Sequence, residues 1–134
     1  MVNYAEAAIE CRDPQYATPL FDRLVPYSHL LSMAGGATAE GPVSHYLGGL
    51  AAVLGRYDEA DAYFTQAAAF NERADAKFFA ARTNLLWGKM LAERNAPADA
   101  EKARELLAEA HTSAAAHGYA NVKRRAAAAL QQLN

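Results

Sequence analysis

Apolar residues recur along this chain with helical spacing, and the pattern repeats. An alanine is followed after four residues by Phe or Leu, and after three more by Leu or Ala. This pattern begins at Ala17, Ala60 and Ala103, so both steps are 43 residues. Spacings of four and three place the three positions on one face of a helix. The pattern therefore predicts helices that bury equivalent faces in successive units.

A second repeated feature lies upstream of each alanine, where a large apolar residue precedes a small one. The three pairs are Tyr4-Ala5, Leu47-Gly48 and Trp87-Gly88. The small residue lies 12, 12 and 15 residues before the repeated alanine, and the three extra residues fall in the turn at 95–98, where insertions cost little. We expect each unit to be two antiparallel helices, with the small residue allowing close approach. The alternative is an unrelated helical bundle whose alanines coincide.

Start and stop signals divide the chain into helices. The predicted helices cover residues 2–11, 14–33 with a kink or break near Val25, 42–54, 57–71, 75–94, 99–117 and 119–133. Asp13-Pro14 has the form of an N-cap followed by proline at the first helical position. Asp75 and Asp99 are further cap candidates, and Gly55 and Gly118 are expected helix ends. Residues 34–41 read as a loop.

Composition supports a helical fold class. The chain has 134 residues, of which 33 are alanine and only 11 are Val, Ile or Thr. Alanine favours helices, and β-branched residues favour strands. The prediction is an all-α superhelix of three antiparallel helix pairs plus a closing helix. It forms a single domain over 1–134, with units at about 1–41, 42–75 and 76–118 and the closing helix at 119–133.

Charge and special segments exclude several classes of function. The net charge is −2, so no global basic field favours nucleic acid. The single cysteine, Cys11, cannot form an internal disulfide, which fits either a reducing, cytoplasmic setting or simply a protein without disulfides. No apolar stretch approaches the ~20 residues that span a bilayer, and residues 1–6 lack a signal peptide's basic region.

Candidate catalytic and metal-binding residues do not form recognisable sites. The four histidines lack metal-ligand spacing; they are His29, His45, His111 and His117. Cys11 is interpreted as a buried structural thiol in an amphipathic helix. The glycines at 35–41 have no Lys-Ser/Thr after them, so no phosphate loop is indicated. We expect no catalytic residue, metal or cofactor in this chain.

The middle unit resembles a tetratricopeptide (TPR) repeat. Leu47-Gly48, Gly55-x-Tyr57-x-x-Ala60, Phe64 and Ala67 match the family's LG…G-x-Y-x-x-A…F…A pattern. The third unit departs from it at Asn95 and Leu107, the first unit is weaker still, and the 43-residue step exceeds the usual 34. Longer units of this kind are typical of the MalT-like arms of large bacterial signalling ATPases, which the runs at 41–64 and 81–110 resemble.

The resemblance implies two sets of functional positions. The repeat-packing residues would be Ala17, Phe21, Leu47, Gly48, Tyr57, Ala60, Phe64, Trp87, Gly88, Ala103 and Leu107. The concave groove would be lined by His45, Gly49, Val53, Arg82, Leu85, Lys89 and Glu93. Such a groove binds a protein or peptide partner, or a small anionic effector; the alternative is an exposed face without a ligand.

The resemblance also implies a role. We expect a non-catalytic interaction or sensor arm of a multidomain bacterial regulator, which carries an ATPase module and either a LuxR-type DNA-binding domain or an adenylate/guanylate cyclase domain. The register starts late in the first unit, so we expect the chain to be a fragment, with Phe21 and Leu24 partly uncovered. Upstream domains of the same chain would then be partners. The alternatives are a homodimeric TPR scaffold and a DNA-associated fragment using the basic cluster Lys123–Arg125.

Overall fold

Seven α-helices and one short β-hairpin make up the part of the chain that the computed structural model describes, residues 2–27, 31–34 and 38–133. The helices are α1 (Val2–Cys11), α2 (Pro14–Leu24), α3 (Val43–Val53), α4 (Tyr57–Arg73), α5 (Lys77–Arg94), α6 (Asp99–His117) and α7 (Ala120–Leu133). The strands are β1 (Leu31–Ala34) and β2 (Thr38–Pro42). The predicted helical class is confirmed, whereas the superhelical arrangement stays a prediction.

The predicted helix over 14–33 is wrong in its second half. α2 ends at Leu24, and Val25–Tyr27 forms a single 3₁₀ turn. Pro26 has no N–H to donate to the carbonyl four residues before it, so the α-helical ladder stops there. The break predicted near Val25 is thus confirmed. The predicted N-cap is confirmed as well, because the Asp13 carboxylate accepts a hydrogen bond of 3.0 Å from the backbone N–H of Gln15.

The loop predicted at 34–41 is wrong where the structure describes it. Leu31 pairs with Pro42 and Ala34 with Thr38 in an antiparallel hairpin. The apolar residues of this segment do not recur with helical spacing, so no helix forms there. Strand pairing instead supplies the hydrogen bonds of its backbone N–H and C=O groups. Residues 28–30 and 35–37, which include His29, Gly35 and Gly36, lie outside the described residues.

Left-handed backbone recurs at the turns that follow α1, α3 and α5. Arg12 has a φ of 52°, Gly55 of 76° and Ala98 of 71°, and each lies 43 residues after the one before. Asn95, with a φ of 51°, ends α5 in the same conformation. Gly118, with a φ of 77°, caps α6. The helix ends predicted at Gly55 and Gly118 are confirmed.

Asp75 is not the cap of α5. It has a positive φ of 52°, and Ala76 occupies the N-cap position. Its carboxylate instead pairs with the Nζ of Lys77 at 3.0 Å, and both side chains are exposed.

Asp99 is the first residue of α6 rather than its N-cap. Its carboxylate reaches back into the preceding turn, where Oδ2 accepts 2.9 Å and 2.8 Å hydrogen bonds from the Ala96 N–H and the Arg94 Nε, and Oδ1 accepts a 2.9 Å bond from the Arg94 Nη2. These bonds from Arg94 lower the pKa of Asp99, although the burial of the carboxylate opposes them. Asp99 therefore clamps the α5–α6 turn.

The chain forms two compact units, residues 1–70 and 71–134. In the first unit the repeated positions are buried, with Ala17, Ala60 and Phe64 at most 4% exposed alongside Phe21. The rings of Phe21 and Tyr63 meet edge to face at a centroid distance of 5.8 Å. Gly48 faces Phe64, where an added Cβ would lie 2.7 Å from the ring. Phe21 and Leu24 are both 4% exposed, so the expectation that they lack cover is wrong.

The second unit packs α5, α6 and α7 around a core of small residues. Its core residues are Ala81, Leu85, Leu107, Ala110, Ala114, Val122, Ala126 and Ala129. Gly88 faces Leu107 in the same way as Gly48 faces Phe64, since an added Cβ would lie 2.7 Å from the leucine Cγ. The close approach predicted at Gly48 and Gly88 is confirmed. Tyr57 is only half-buried, unlike the other repeat-packing residues. The division into three repeat units stays a prediction.

Candidate functional site

Two of the three groove positions predicted in α3 are buried inside the first unit. His45 is 4% exposed, and its ring meets Phe64 at a centroid distance of 6.4 Å. Gly49 is covered by Ile9, whose Cδ1 would lie 2.5 Å from an added Cβ. Val53 is half-buried. Gly49 is therefore covered by α1 and His45 packs against α4, so both are core positions rather than groove lining.

The groove positions predicted in α5 divide between core and surface. Leu85 is 1% exposed and belongs to the core of the second unit. Arg82 and Lys89 are half-buried and Glu93 is exposed. The Arg82 guanidinium lies 5.7 Å from the centre of the Phe78 ring. A ligand-binding role for Arg82, Lys89 and Glu93 stays a prediction, and Leu85 is a packing residue.

The remaining candidates for chemistry do not converge. Among the described residues no three His, Cys, Asp or Glu side chains lie together as metal ligands would. His117 stacks on Tyr119 at 5.5 Å between ring centroids, and its Nδ1 lies 2.9 Å from the Ser113 carbonyl oxygen. Lys123 and Arg124 are exposed on α7.

Cys11 is exposed, so its interpretation as a buried thiol is wrong. It lies at the end of α1 and lines a pocket between α1 and α2. A helical apolar pattern does not by itself tell which of two apolar faces a neighbour covers.

An apolar pocket of about 450 Å³ lies between α1 and α2. Its lining residues are Tyr4, Ala7, Ala8, Cys11, Asp13, Tyr16, Pro19, Leu20 and Arg23. We call it the α1–α2 pocket. Tyr4 is 72% exposed and Tyr16 is 64% exposed, which makes them the two most exposed large apolar side chains of the described residues.

The sequence builds this pocket from a second stripe on each helix. On α1 the stripe runs through Tyr4, Ala8 and Cys11. The small side chain of Ala8 lies at the bottom of the pocket and leaves its volume unfilled. On α2 it runs through Tyr16 and Leu20 at a spacing of four. Only two residues connect the helices, so the chain reverses and the stripes lie side by side. The result is an apolar depression with an aromatic ring on each helix.

The repeat register shows that Tyr4 occupies a position that is covered elsewhere. The equivalent residues are Leu47, which is 0% exposed, and Trp87, which is 6% exposed. In the second unit Lys102 lies over the Trp87 ring at 4.4 Å. In the repeat register, the residue equivalent to Lys102 is Tyr16, which lies 86 positions earlier. Tyr16 does not cover the Tyr4 ring, which stays exposed. Sequence reasoning missed the pocket because it looked for uncovered residues on the inner face, at Phe21 and Leu24.

A second depression, of about 520 Å³, lies in the second unit along α6. Its lining residues are Lys77, Ala108, Glu109, Thr112, Ser113, Ala116 and His117. Lys77 pairs with the neighbouring Asp75, and His117 already contacts Tyr119. No group of ligand-type side chains converges in it.

Comparisons with known proteins found no match among family models, curated proteins or solved structures. None of the described helices combines the length and apolar character that crossing a lipid bilayer requires.

Proposed function

We propose that this chain is a non-catalytic helical-repeat module that binds protein or peptide partners. The observation that supports this best is the α1–α2 pocket, where Tyr4 is exposed although its repeat equivalents Leu47 and Trp87 are covered, and where Tyr16 is exposed as well. Exposed apolar patches flanked by charged residues are typical of protein interaction sites.

The physical reason is the free energy that burial of these rings releases. A tyrosine buries about 150–250 Å² when it is covered, and its hydroxyl keeps a hydrogen-bonding group at the edge of the contact. Tyrosine is enriched among the residues that contribute most to binding. Asp13 and Arg23, at opposite ends of the pocket, supply the charges that orient a partner.

The finer role rests on the resemblance to MalT-like TPR arms. On this proposal the module is the interaction or sensor arm of a cytoplasmic bacterial regulator that also carries an ATPase module, with a LuxR-type or cyclase output domain. Binding shifts the packing of successive helix pairs, and the ATPase module responds. Turnover of ATP by the purified chain alone would contradict the non-catalytic part of the proposal.

A selection experiment tests the binding role. A displayed library of 15-residue amphipathic helices is selected against the 134-residue chain, and the selected peptides are measured by fluorescence anisotropy. We expect their affinity to fall at least tenfold for the Tyr4→Ala/Tyr16→Ala variant. Phe78→Ala is the matched control, because Phe78 is also an exposed aromatic residue, at 43%, but lies on α5.

If the selected peptides bind both variants equally, the α1–α2 pocket is not the binding surface. If no peptide is selected, the proposal fails for helical partners. Circular dichroism of each variant confirms that the helices are intact.

A further inference from the structure

The outer face of α2 and its N-cap residue form a stripe that is symmetric in spacing and carries opposite charges at its two ends. Its members are Asp13, Tyr16, Leu20 and Arg23, separated by three, four and three residues. The charges at the two ends are opposite, and the two central residues are large and apolar. All four line the α1–α2 pocket.

We propose that two copies of this chain associate through the α1–α2 pocket, with their α2 helices antiparallel across a two-fold axis. This inference rests on the proposed function, in which the pocket is a protein-binding surface. It names a second copy of this chain as the partner.

The stripe matches itself only in the antiparallel direction. A two-fold axis at the level of residue 18 places Asp13 of each copy at the level of Arg23 in the other, and Tyr16 at the level of Leu20. The distance from Asp13 to Arg23 along the axis is about 15 Å at ~1.5 Å per residue. Each closed two-fold interface therefore contains two opposite-charge pairs and two apolar contacts.

A parallel arrangement is disfavoured by the same residues. It would set Asp13 beside Asp13 and Arg23 beside Arg23, and like charges across an interface select against that arrangement. Antiparallel packing also sets the helix dipoles in opposite directions. The stripe thus favours contact between two copies and also determines that their α2 helices run antiparallel.

Residues of α1 complete the contact. Tyr4 lines the pocket beside the end of α2, and Cys11 lies beside its start, because the chain reverses between the two helices. Ala7 and Ala8 have small side chains that permit close approach. Standard stable interfaces bury about 800 Å² and about 20–30 residues on each partner, and the nine lining residues are fewer than that. We therefore expect a dissociation constant in the micromolar range rather than the nanomolar range.

Sedimentation equilibrium of the 134-residue chain between about 1 and 500 µM tests the association. We expect a monomer–dimer equilibrium that Arg23→Glu weakens about tenfold or more at low salt, since each copy then sets two acidic groups together. High salt should reduce the difference. Arg124→Glu is the matched control, because Arg124 is an exposed arginine on α7 and its reversal should leave dimerisation unchanged.

Crosslinking tests the geometry. In a Cys11→Ser background, Pro19→Cys places a thiol in the pocket lining beside the stripe and close to the level of the two-fold axis, whereas Thr18→Cys places one on the exposed opposite side of α2. Under mild oxidation we expect disulfide-linked dimers with Pro19→Cys and little or none with Thr18→Cys.

A chain that stays monomeric up to 500 µM overturns the proposal, and so does a dimer that Arg23→Glu leaves unchanged. Equal crosslinking at residues 18 and 19 overturns the assignment of this face of α2 to the contact, while the direction is tested by Arg23→Glu, which should weaken only the antiparallel pair. The peptide experiment tests the proposed binding function independently of dimerisation. If the chain were monomeric but the selected peptides still lost affinity for Tyr4→Ala/Tyr16→Ala, only the dimer would be overturned.

Discussion

Gly48 lies so close to Phe64 that a methyl group at residue 48 would sit 2.7 Å from ring atoms Cδ1 and Cε1. Gly88 stands in the same relation to Leu107, and there the Ala103 carbonyl oxygen lies 3.2 Å away as well. Two helix contacts of the same kind thus depend on the absence of a side chain.

Replacing either glycine by alanine tests how tightly these helices are packed. Alanine gains about 1 kcal/mol of helix propensity over glycine, whereas overpacking a well-filled contact costs about 1–3 kcal/mol. We expect Gly88→Ala to lower the free energy of unfolding by about 1–2 kcal/mol in urea titrations. The backbone oxygen of Ala103 gives way less easily than a ring does, so Gly48→Ala should cost less.

The double variant Gly48→Ala/Phe64→Leu serves as the control. A smaller side chain at residue 64 makes room for the new methyl group, so the two substitutions should be less destabilising together than their sum. An increase in stability of about 1 kcal/mol for both single variants would mean that propensity alone decides, and that the contacts are loose.

The Asp99 carboxylate makes unfolding depend on pH. Its pKa is lowered in the folded chain by hydrogen bonds from Arg94, so its contribution is present above the unfolded pKa of about 3.9 and is lost as the pH falls through the lower, folded pKa. We expect Asp99→Asn to reduce the free energy of unfolding by about 1.5–3 kcal/mol at pH 7, with a much smaller difference near pH 2.

Asp75→Asn is the matched control for this measurement. The Asp75–Lys77 pair has a similar separation of 3.0 Å, but its side chains are 81% and 62% exposed. Exposed pairs contribute about 0–1 kcal/mol, so this variant should change little at any pH. Equal effects of the two substitutions would show that the Asp99 clamp has no special role.

A buried polar pair in the second unit offers another test. The Nδ2 of Asn71 donates a 3.1 Å hydrogen bond to the Oγ1 of Thr83, and these residues are 1% and 0% exposed. Thr83→Val keeps the shape but leaves the Asn71 donor without this acceptor, which should cost about 1–3 kcal/mol. Thr83→Ser keeps the hydroxyl and loses only a methyl group.

Thermal unfolding followed by circular dichroism compares these two variants. We expect the valine variant to melt at a lower temperature than the serine variant. The reverse order would show that packing of the methyl group outweighs the hydrogen bond.

The fluorescence emission of the single tryptophan, Trp87, tests whether Lys102 shields its ring from water. Trp87 is 6% exposed, with the Lys102 ammonium 4.4 Å from the ring centre. Lys102→Ala should shift the emission of Trp87 to longer wavelength and destabilise the second unit by about 0.5–1 kcal/mol. Lys123→Ala, an exposed lysine on α7, should leave the emission unchanged.

Much of the helical framework was predictable because local signals decide it. The repeated small residues at Gly48 and Gly88 correctly indicated where helices approach closely, and Gly55 and Gly118 correctly marked helix ends. Asp75 and Asp99 were misassigned because a carboxylate one residue from a cap position has competing partners, here Lys77 and the Arg94 guanidinium.

The candidate site was less predictable than the framework. Cys11 and Tyr4 lie on an apolar face of α1, and periodicity cannot tell a face that a neighbour covers from one that stays open. The alanines of α7 show the opposite error. Ala126 and Ala129 belong to no repeated position of the sequence, so the repeat does not mark them, yet both are core residues of the second unit.

The connection between α5 and α6 has four residues and that between α3 and α4 has three, so only one of the three extra residues predicted in this turn lies there, and the other two lengthen α5 and α6. Gly88 nevertheless meets Leu107 as Gly48 meets Phe64. The same helix contact therefore forms despite the added residues, and the Arg94–Asp99 ion pair closes the turn at its base. Because the Ala96 N–H bonds to the Asp99 carboxylate, a grafted peptide or new chain termini should enter after Ala96, at the exposed residues Pro97 and Ala98, to keep this clamp.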